Sequence, residues 1–143
     1  MSDRSIGSIV VRSLTGIISV GVSLLGLFYS AIALGYSGQY FSVLVLFYGL
    51  VPAFEFPAFL MSFKFPRLAV SILWLLYLSN FMIAIGIDFR YCHISSVCGA
   101  HNFWGDVLSI PISSPVLILT LITAVLAQAE YLMRRSSSGE GIR

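Results

Sequence analysis

The stretch SLTGIISVGVSLLGLFYSAIALGYSGQYFSVLVLFYGLVPAF, residues 13–54, decides the fold because its 42 residues include no Asp, Glu, Lys or Arg. An α-helix needs about 20 apolar residues to cross the ~30 Å hydrocarbon core of a bilayer. The stretch is therefore long enough for two membrane spans. Residues 35–39 provide a short uncharged turn in its middle, so we predict spans at about 13–34 and 40–62.

Two further uncharged stretches, residues 68–87 and 107–129, are each long enough for one more span. We place these spans at about 67–87 and 115–133. With 58% hydrophobic and only 10% charged residues, the composition excludes a water-soluble globular protein, which carries about 25% charged residues. The predicted fold is an all-α membrane protein, a bundle of four transmembrane helices in one domain over residues 1–133. An outer loop at 88–110 and a flexible cytoplasmic tail at 134–143 complete it.

The basic residues predict the orientation of these spans. Seven of the eight lie on one side of a four-span chain: Arg4, Arg12, Lys64, Arg67, Arg134, Arg135 and Arg143. Arg90 alone lies on the other side. Because cytoplasmic loops are enriched in Lys and Arg, both termini are predicted to be cytoplasmic and the 88–110 loop non-cytoplasmic, in the inner (plasma) membrane of the cell.

Glu55 is an ionisable residue inside the second predicted span, between Pro52 and Pro57. A charged side chain at membrane depth costs about 2.5–3.5 kcal/mol on insertion scales, so it needs a partner or a function. One interpretation is a proton or ion relay, or a ligand contact beside backbone carbonyls that the prolines leave without donors. The favoured interpretation is a structural carboxyl, either protonated or paired with Arg12, Lys64 or Arg67.

The first span carries small residues on one helical face, at Gly16, Ser19, Ser23, Gly26 and Ser30. Their spacing of three and four residues keeps them on the same side of a helix. Small side chains let the backbones of membrane helices approach closely. We predict a helix-packing face that is used inside the bundle, with contact to another subunit as the alternative.

Cys92 and Cys98 lie in the predicted outer loop, close to His93 and His101. On the outer side of a cell membrane two nearby cysteines most simply form a structural disulfide. Thiols that exchange disulfides with a partner are a second possibility. A metal site is a third, but two cysteines separated by five residues do not match the usual zinc spacings, and no metal ligand is assigned.

The layout of residues 40–105 resembles the DoxX/MauE group of small four-helix membrane proteins. The resemblance is carried by Pro52 and Glu55 in the second span, Arg67 at the start of the third span, and Cys98-Gly99 after it. It implies an accessory protein for the redox maturation of exported proteins or for a respiratory enzyme.

No glycine-rich phosphate loop or nucleophile–base arrangement is visible, so no catalytic residue is assigned and the chain is more simply read as a protein that is not an enzyme. The function predicted first is an accessory or structural subunit that packs against a larger membrane complex. The alternative is a thiol-redox helper of the DoxX/MauE type. The expected partners are the lipid bilayer and other membrane subunits. Nucleic acid is not expected, and the sequence identifies no cofactor.

Overall fold

The computed structural model describes residues 3–35, 40–95 and 115–137, and its regular elements are all α-helices. In chain order the helices are α1 (Asp3–Gly35), α2 (Tyr40–Ala53), α3 (Glu55–Met61), α4 (Pro66–Ser95) and α5 (Pro115–Ser137). No β-strand occurs in the described ranges. The prediction of an all-α fold is confirmed.

Three of the helices are long and apolar enough to cross a membrane. The qualifying segments are Ile6–Ala31 of α1, Pro66–Gly86 of α4 and Pro115–Ser136 of α5. The segment predicted as the second span is instead interrupted at Phe54, which divides it into α2 and α3. These three helices are thus compatible with membrane spans, and α2–α3 is a broken helical segment between them in the chain.

The helices extend beyond the ends predicted for the spans. The first span was placed from Ser13, but α1 begins at Asp3. Residues 88–95 belong to α4 rather than to the predicted 88–110 loop, and α5 continues to Ser137. The predictions marked where apolar residues end, which locates the edge of the lipid. Helical hydrogen bonding continues past that edge because no Gly or Pro interrupts residues 87–95.

The helices form a ring. Helix α1 packs against α2, α3 and α5, and α4 packs against the same three helices. The broken α2–α3 element therefore lies between α1 and α4 on one side, and α5 lies between them on the other. A hydrophobic cluster of Ala58, Leu73, Ala124 and Ala127 joins α3, α4 and α5.

Side-chain size differs between the inside and the outside of the ring. The fully buried residues include small and hydroxyl side chains such as Thr15, Ser19, Thr120 and Thr123. Many large apolar side chains are exposed on the outside instead, and Ile17 is 71% exposed. A contiguous apolar exterior of this kind would aggregate in water but is solvated by lipid tails, and small interior residues allow close helix packing in that environment.

Candidate functional site

The closest contact between helices lies where α1 crosses α2. A Cβ atom added at Gly26 would lie 2.5 Å from the Gly49 carbonyl oxygen and 2.9 Å from the Ala53 nitrogen. One added at Gly49 would lie 2.6 Å from the Gly26 carbonyl oxygen. Only glycine fits at these two positions, because no room remains for a side chain.

The remaining members of the small-residue face follow the same side of α1. Ser19, Ser23 and Ser30 are buried, and Gly16 faces the Phe59 ring of α3, to which an added Cβ would approach within 3.0 Å. The Ser19 and Ser30 hydroxyls donate to the carbonyl oxygens four residues earlier in α1. The face predicted from the sequence therefore lies against α2 and α3.

The Ser23 hydroxyl occupies the break between α2 and α3. In an uninterrupted helix the Phe56 amide would donate to the Pro52 carbonyl oxygen. Here the Phe56 amide donates to Ser23 Oγ at 3.0 Å, and the Ser23 hydroxyl donates to the Pro52 oxygen at 3.3 Å. A side chain of α1 is thus inserted into the hydrogen-bond ladder of the neighbouring element, which is a known cause of helix kinks.

At the break, the side chain of Glu55 points into the interior of the bundle. Glu55 is 0% exposed, whereas the preceding Phe54 is 60% exposed. Neither carboxyl oxygen of Glu55 has a hydrogen-bond partner within the described part of the chain. The basic partners considered from the sequence are engaged elsewhere: the Arg12 guanidinium with Glu130 and Phe63, Arg67 with Tyr131, and the Lys64 ammonium with the Phe65 ring.

Thr123 of α5 is the residue that interacts with the Glu55 carboxyl, although no hydrogen bond of ordinary geometry joins the two side chains. The Thr123 hydroxyl donates its single proton to the Leu119 carbonyl oxygen at 2.9 Å. It can therefore offer Glu55 only an acceptor. A protonated Glu55 could donate to it, and an ionised Glu55 could not, so this position accommodates a neutral carboxyl better than a charged one.

Asn80 of α4 is a second buried polar side chain inside the bundle. It is 0% exposed, and neither atom of its amide group has a partner among the described residues. Buried polar groups are normally hydrogen-bonded, so each exception requires an explanation such as a water molecule, an ion or a functional role. Glu55 and Asn80 are two interior positions where the bundle could hold a water molecule or an ion.

A charged cluster closes one end of the bundle. The Glu130 carboxylate of α5, which is nearly buried, lies 2.6 Å from Arg134 Nη2 and 3.8 Å from Arg12 Nη1. The Arg12 guanidinium also stacks over the Phe63 ring, 3.5 Å from its centroid. The cluster connects α1, α5 and the turn after α3, and it defines what we call the basic end of the bundle.

Next to this cluster is a pocket of about 520 Å³, the basic pocket. Its cationic lining residues are Lys64, Arg67, Arg134 and Arg135. Arg67 Nε donates to the Tyr131 hydroxyl at 2.7 Å, so this arginine is held against α5. Basic residues that are far apart in the sequence thus lie together at one end.

An apolar groove of about 490 Å³ runs between α1 and α3, and we call it the α1–α3 groove. Gly16, Ile17 and Val20 form one wall, and three phenylalanine rings, Phe56, Phe59 and Phe63, form the other. Arg12 lies at one end of the groove. The groove opens on the outer surface of the ring, where Ile17 is exposed.

Cys92 lies away from these features. Cys92 belongs to the last turn of α4, at the end opposite to the basic pocket, and Cys98 is outside the described residues. The disulfide, redox and metal interpretations all require Cys98 or His101, which is also outside the described ranges. They remain predictions.

Sequence analysis missed two of the features that define the site. Glu130 was not singled out from the sequence, although its spacing of four residues from Arg134 is the spacing of an ion pair on one helix face. Ser23 was recognised as small but not as a hydrogen-bonding partner of α2 and α3. No pattern in a single chain could have shown the latter, because it depends on how α1 is rotated against its neighbour.

Comparison with known proteins gives no relative for this arrangement. No family model, no curated protein sequence and no solved structure matches the chain. The resemblance to the DoxX/MauE group therefore remains a prediction.

Proposed function

We propose that this chain is a multi-pass protein of the inner (plasma) membrane that serves as a non-catalytic accessory subunit of a larger membrane complex. In this proposal α1, the broken α2–α3 element, α4 and α5 provide four spans. Both termini and the basic end face the cytoplasm, since cytoplasmic loops are enriched in Lys and Arg.

The α1–α3 groove is the observation that carries the proposal. Helices associate in membranes where small residues let backbones approach and where side chains of one helix fit between those of another. The groove has the exposed side chains of Ile17 and Val20 on one wall and phenylalanine rings on the other. It is open along the outer surface of the ring, which gives a helix of a neighbouring subunit access to it.

Gly21 supports a helix rather than a lipid chain as the occupant. It is exposed on α1, one turn beyond Ile17, and a Cβ added there would have nothing within 4 Å. Glycine in a helix costs about 1 kcal/mol relative to alanine, and nothing inside the bundle requires it at this position. A partner helix that crosses α1 closely would require it.

The test is co-purification from native membranes with Gly21→Leu. Because Gly21 is exposed and a Cβ added there would have nothing within 4 Å, the variant should accumulate and fold as the wild type does. We expect the wild type to migrate in native gels as part of a stoichiometric complex that contains other membrane subunits. Gly21→Leu should release the protein from that complex.

Gly86→Leu is the matched control, because Gly86 is also a glycine with open space around it but lies on α4. It should leave the complex intact. A wild-type protein that migrates alone in native membranes would refute the proposal, as would a complex that Gly21→Leu leaves unchanged.

The orientation is tested by topology reporters. Fusions at Lys64 and after Ser137 should behave as cytoplasmic, and a fusion at Ser95 should behave as exported. A cytoplasmic signal from the Ser95 fusion would contradict the four-span arrangement.

A thiol-redox helper is the second candidate. It would use Cys92, which lies in the last turn of α4 on the exported side in this proposal, together with Cys98. The two candidates differ in the redox state of these thiols.

A further inference from the structure

We propose that the basic pocket binds the phosphate-bearing headgroup of an anionic membrane lipid. This site is independent of the α1–α3 groove and of the accessory function. It belongs to the bundle itself and would be present with or without a partner subunit.

Charge is the first argument. Lys64, Arg67, Arg134 and Arg135 converge on one pocket although they come from the turn before α4, its first turn and the last turns of α5. No acid is among the described residues that line the pocket, and the Glu130 carboxylate is bonded to Arg134 at 2.6 Å. No acidic residue occurs in the first turn of α4. The pocket is therefore strongly attractive to an anion.

Depth in the membrane is the second argument. The pocket lies where two candidate spans end, at the Pro66 end of α4 and the Ser136 end of α5. Lipid phosphates are found at this level of a membrane. Basic pockets between transmembrane helices at the cytoplasmic surface are a recognised mode of binding anionic headgroups.

The apolar part of the lining is the third argument. Phe65 and Leu68 contribute to the pocket and are 51% and 50% exposed, respectively. A free phosphate would gain nothing from these side chains. A lipid could place its phosphate among the cations and its glycerol and first methylene groups against Phe65 and Leu68.

The geometry of the cations favours a headgroup with more than one negative charge. Arg67 is oriented by its bond to Tyr131, so its guanidinium keeps donors for a phosphate without a large ordering cost. Lys64 is exposed, and its ammonium group lies over the Phe65 ring at 5.6 Å from the centroid, so it can move to the ligand. A phosphomonoester headgroup, as in phosphatidic acid, suits this number of cations.

The experiment measures the binding of short-chain phosphatidic acid to the purified full-length protein in a neutral detergent. Phosphatidylcholine and inorganic phosphate are the comparison probes. Each cation near an anionic headgroup contributes about a fivefold change in affinity. We expect Lys64→Gln and Arg135→Gln each to weaken phosphatidic acid binding about fivefold, and the double variant about thirtyfold. Phosphatidylcholine should bind at least tenfold more weakly than phosphatidic acid.

Arg90→Gln is the control for net charge, since it removes one cation near the other end of α4. It should change the affinity less than twofold. Two results would overturn the proposal. One is phosphatidic acid binding that the double variant leaves unchanged. The other is a loss of affinity in Arg90→Gln as large as that in Lys64→Gln or Arg135→Gln, which would indicate a diffuse charge effect. Inorganic phosphate that binds as tightly as phosphatidic acid would assign the pocket to a soluble anion and refute the lipid. Circular dichroism of each variant establishes that the helices are intact.

Discussion

Replacing Gly26 by alanine should destabilise the bundle, although alanine is the better helix former. The added Cβ would lie 2.5 Å from the Gly49 carbonyl oxygen, whereas ordinary contact begins at 3.4 Å. Helices α1 and α2 must therefore separate by about 1 Å, because the obstructing atoms belong to the backbone and cannot rotate away.

That separation has a calculable cost. Overpacking of this kind costs about 1–3 kcal/mol. The bond from Ser23 to the Pro52 oxygen is already 3.3 Å long and would be lost, at about 1 kcal/mol. The helix propensity of alanine offsets about 1 kcal/mol. We expect a net loss of about 1–3 kcal/mol in the free energy of unfolding.

Gly21→Ala is the matched control, five residues earlier on the same helix. Its Cβ would meet nothing within 4 Å, so only the gain in helix propensity remains and the variant should be more stable by up to about 1 kcal/mol. Unfolding by sodium dodecyl sulfate in mixed micelles, followed through the fluorescence of Trp74, measures both variants. Trp74 reports the separation of α4 from α5 because its indole donates to Gln128 across that contact. A midpoint for Gly26→Ala at or above that of Gly21→Ala would refute the reasoning.

Four further changes test other parts of the structure. Ser23→Ala should lower stability by about 2–4 kcal/mol in the same unfolding assay, since it leaves the Phe56 amide and the Pro52 carbonyl without their partner. A loss below about 1 kcal/mol would show that these two groups bond to each other instead. Glu55→Gln should fold and assemble as the wild type does, because its amide can donate to Thr123 as a neutral carboxyl would. Glu55→Leu should lose packing. Loss of native assembly in a stably folded Glu55→Gln would indicate a role for protonation. Glu130→Gln should destabilise the bundle by about 1–3 kcal/mol at low salt, because Arg12 and Arg134 then repel each other without a counter-charge, and a midpoint equal to that of the wild type would contradict this. If Cys92 and Cys98 form a structural disulfide, thiol labelling should find both oxidised in isolated protein, and Cys92→Ser should lower the yield; recovery of a mixed disulfide between Cys98 and another protein would support the redox helper instead.

The long helices could be predicted because length and apolarity alone decide them. An uncharged run of about 20 residues has one low-energy conformation in lipid, the α-helix, so α1, α4 and α5 follow from composition. The ends of the helices could not be predicted in the same way. Residues 88–95 are polar enough to leave the lipid but contain no residue that stops a helix. The edge of the lipid and the end of the helix therefore lie at different residues.

The candidate site was predictable in part. Pro52 and Pro57 indicated a distortion of the second span, and the small residues indicated which face of α1 packs. The position of the break at Phe54 and the direction of Glu55 depend on contacts between helices that the sequence does not encode locally. Pairing with a basic residue was one of the two structural interpretations of Glu55, and it is absent among the described residues. Arg12 instead lies 3.8 Å from Glu130, an acid that the sequence analysis had not considered.

The break between α2 and α3 bears on how the chain enters the membrane during synthesis. Helices α2 and α3 have 14 and 7 residues, and at the break Ser23 of α1 bonds to the Pro52 carbonyl oxygen of α2 and to the Phe56 amide of α3. In lipid alone, each of these groups would cost several kcal/mol. We therefore expect the second span to leave the insertion machinery together with α1, as a hairpin, and not as an independent segment. A chain synthesised without residues 3–35 should fail to integrate α2 and α3, even though their sequence is almost entirely apolar.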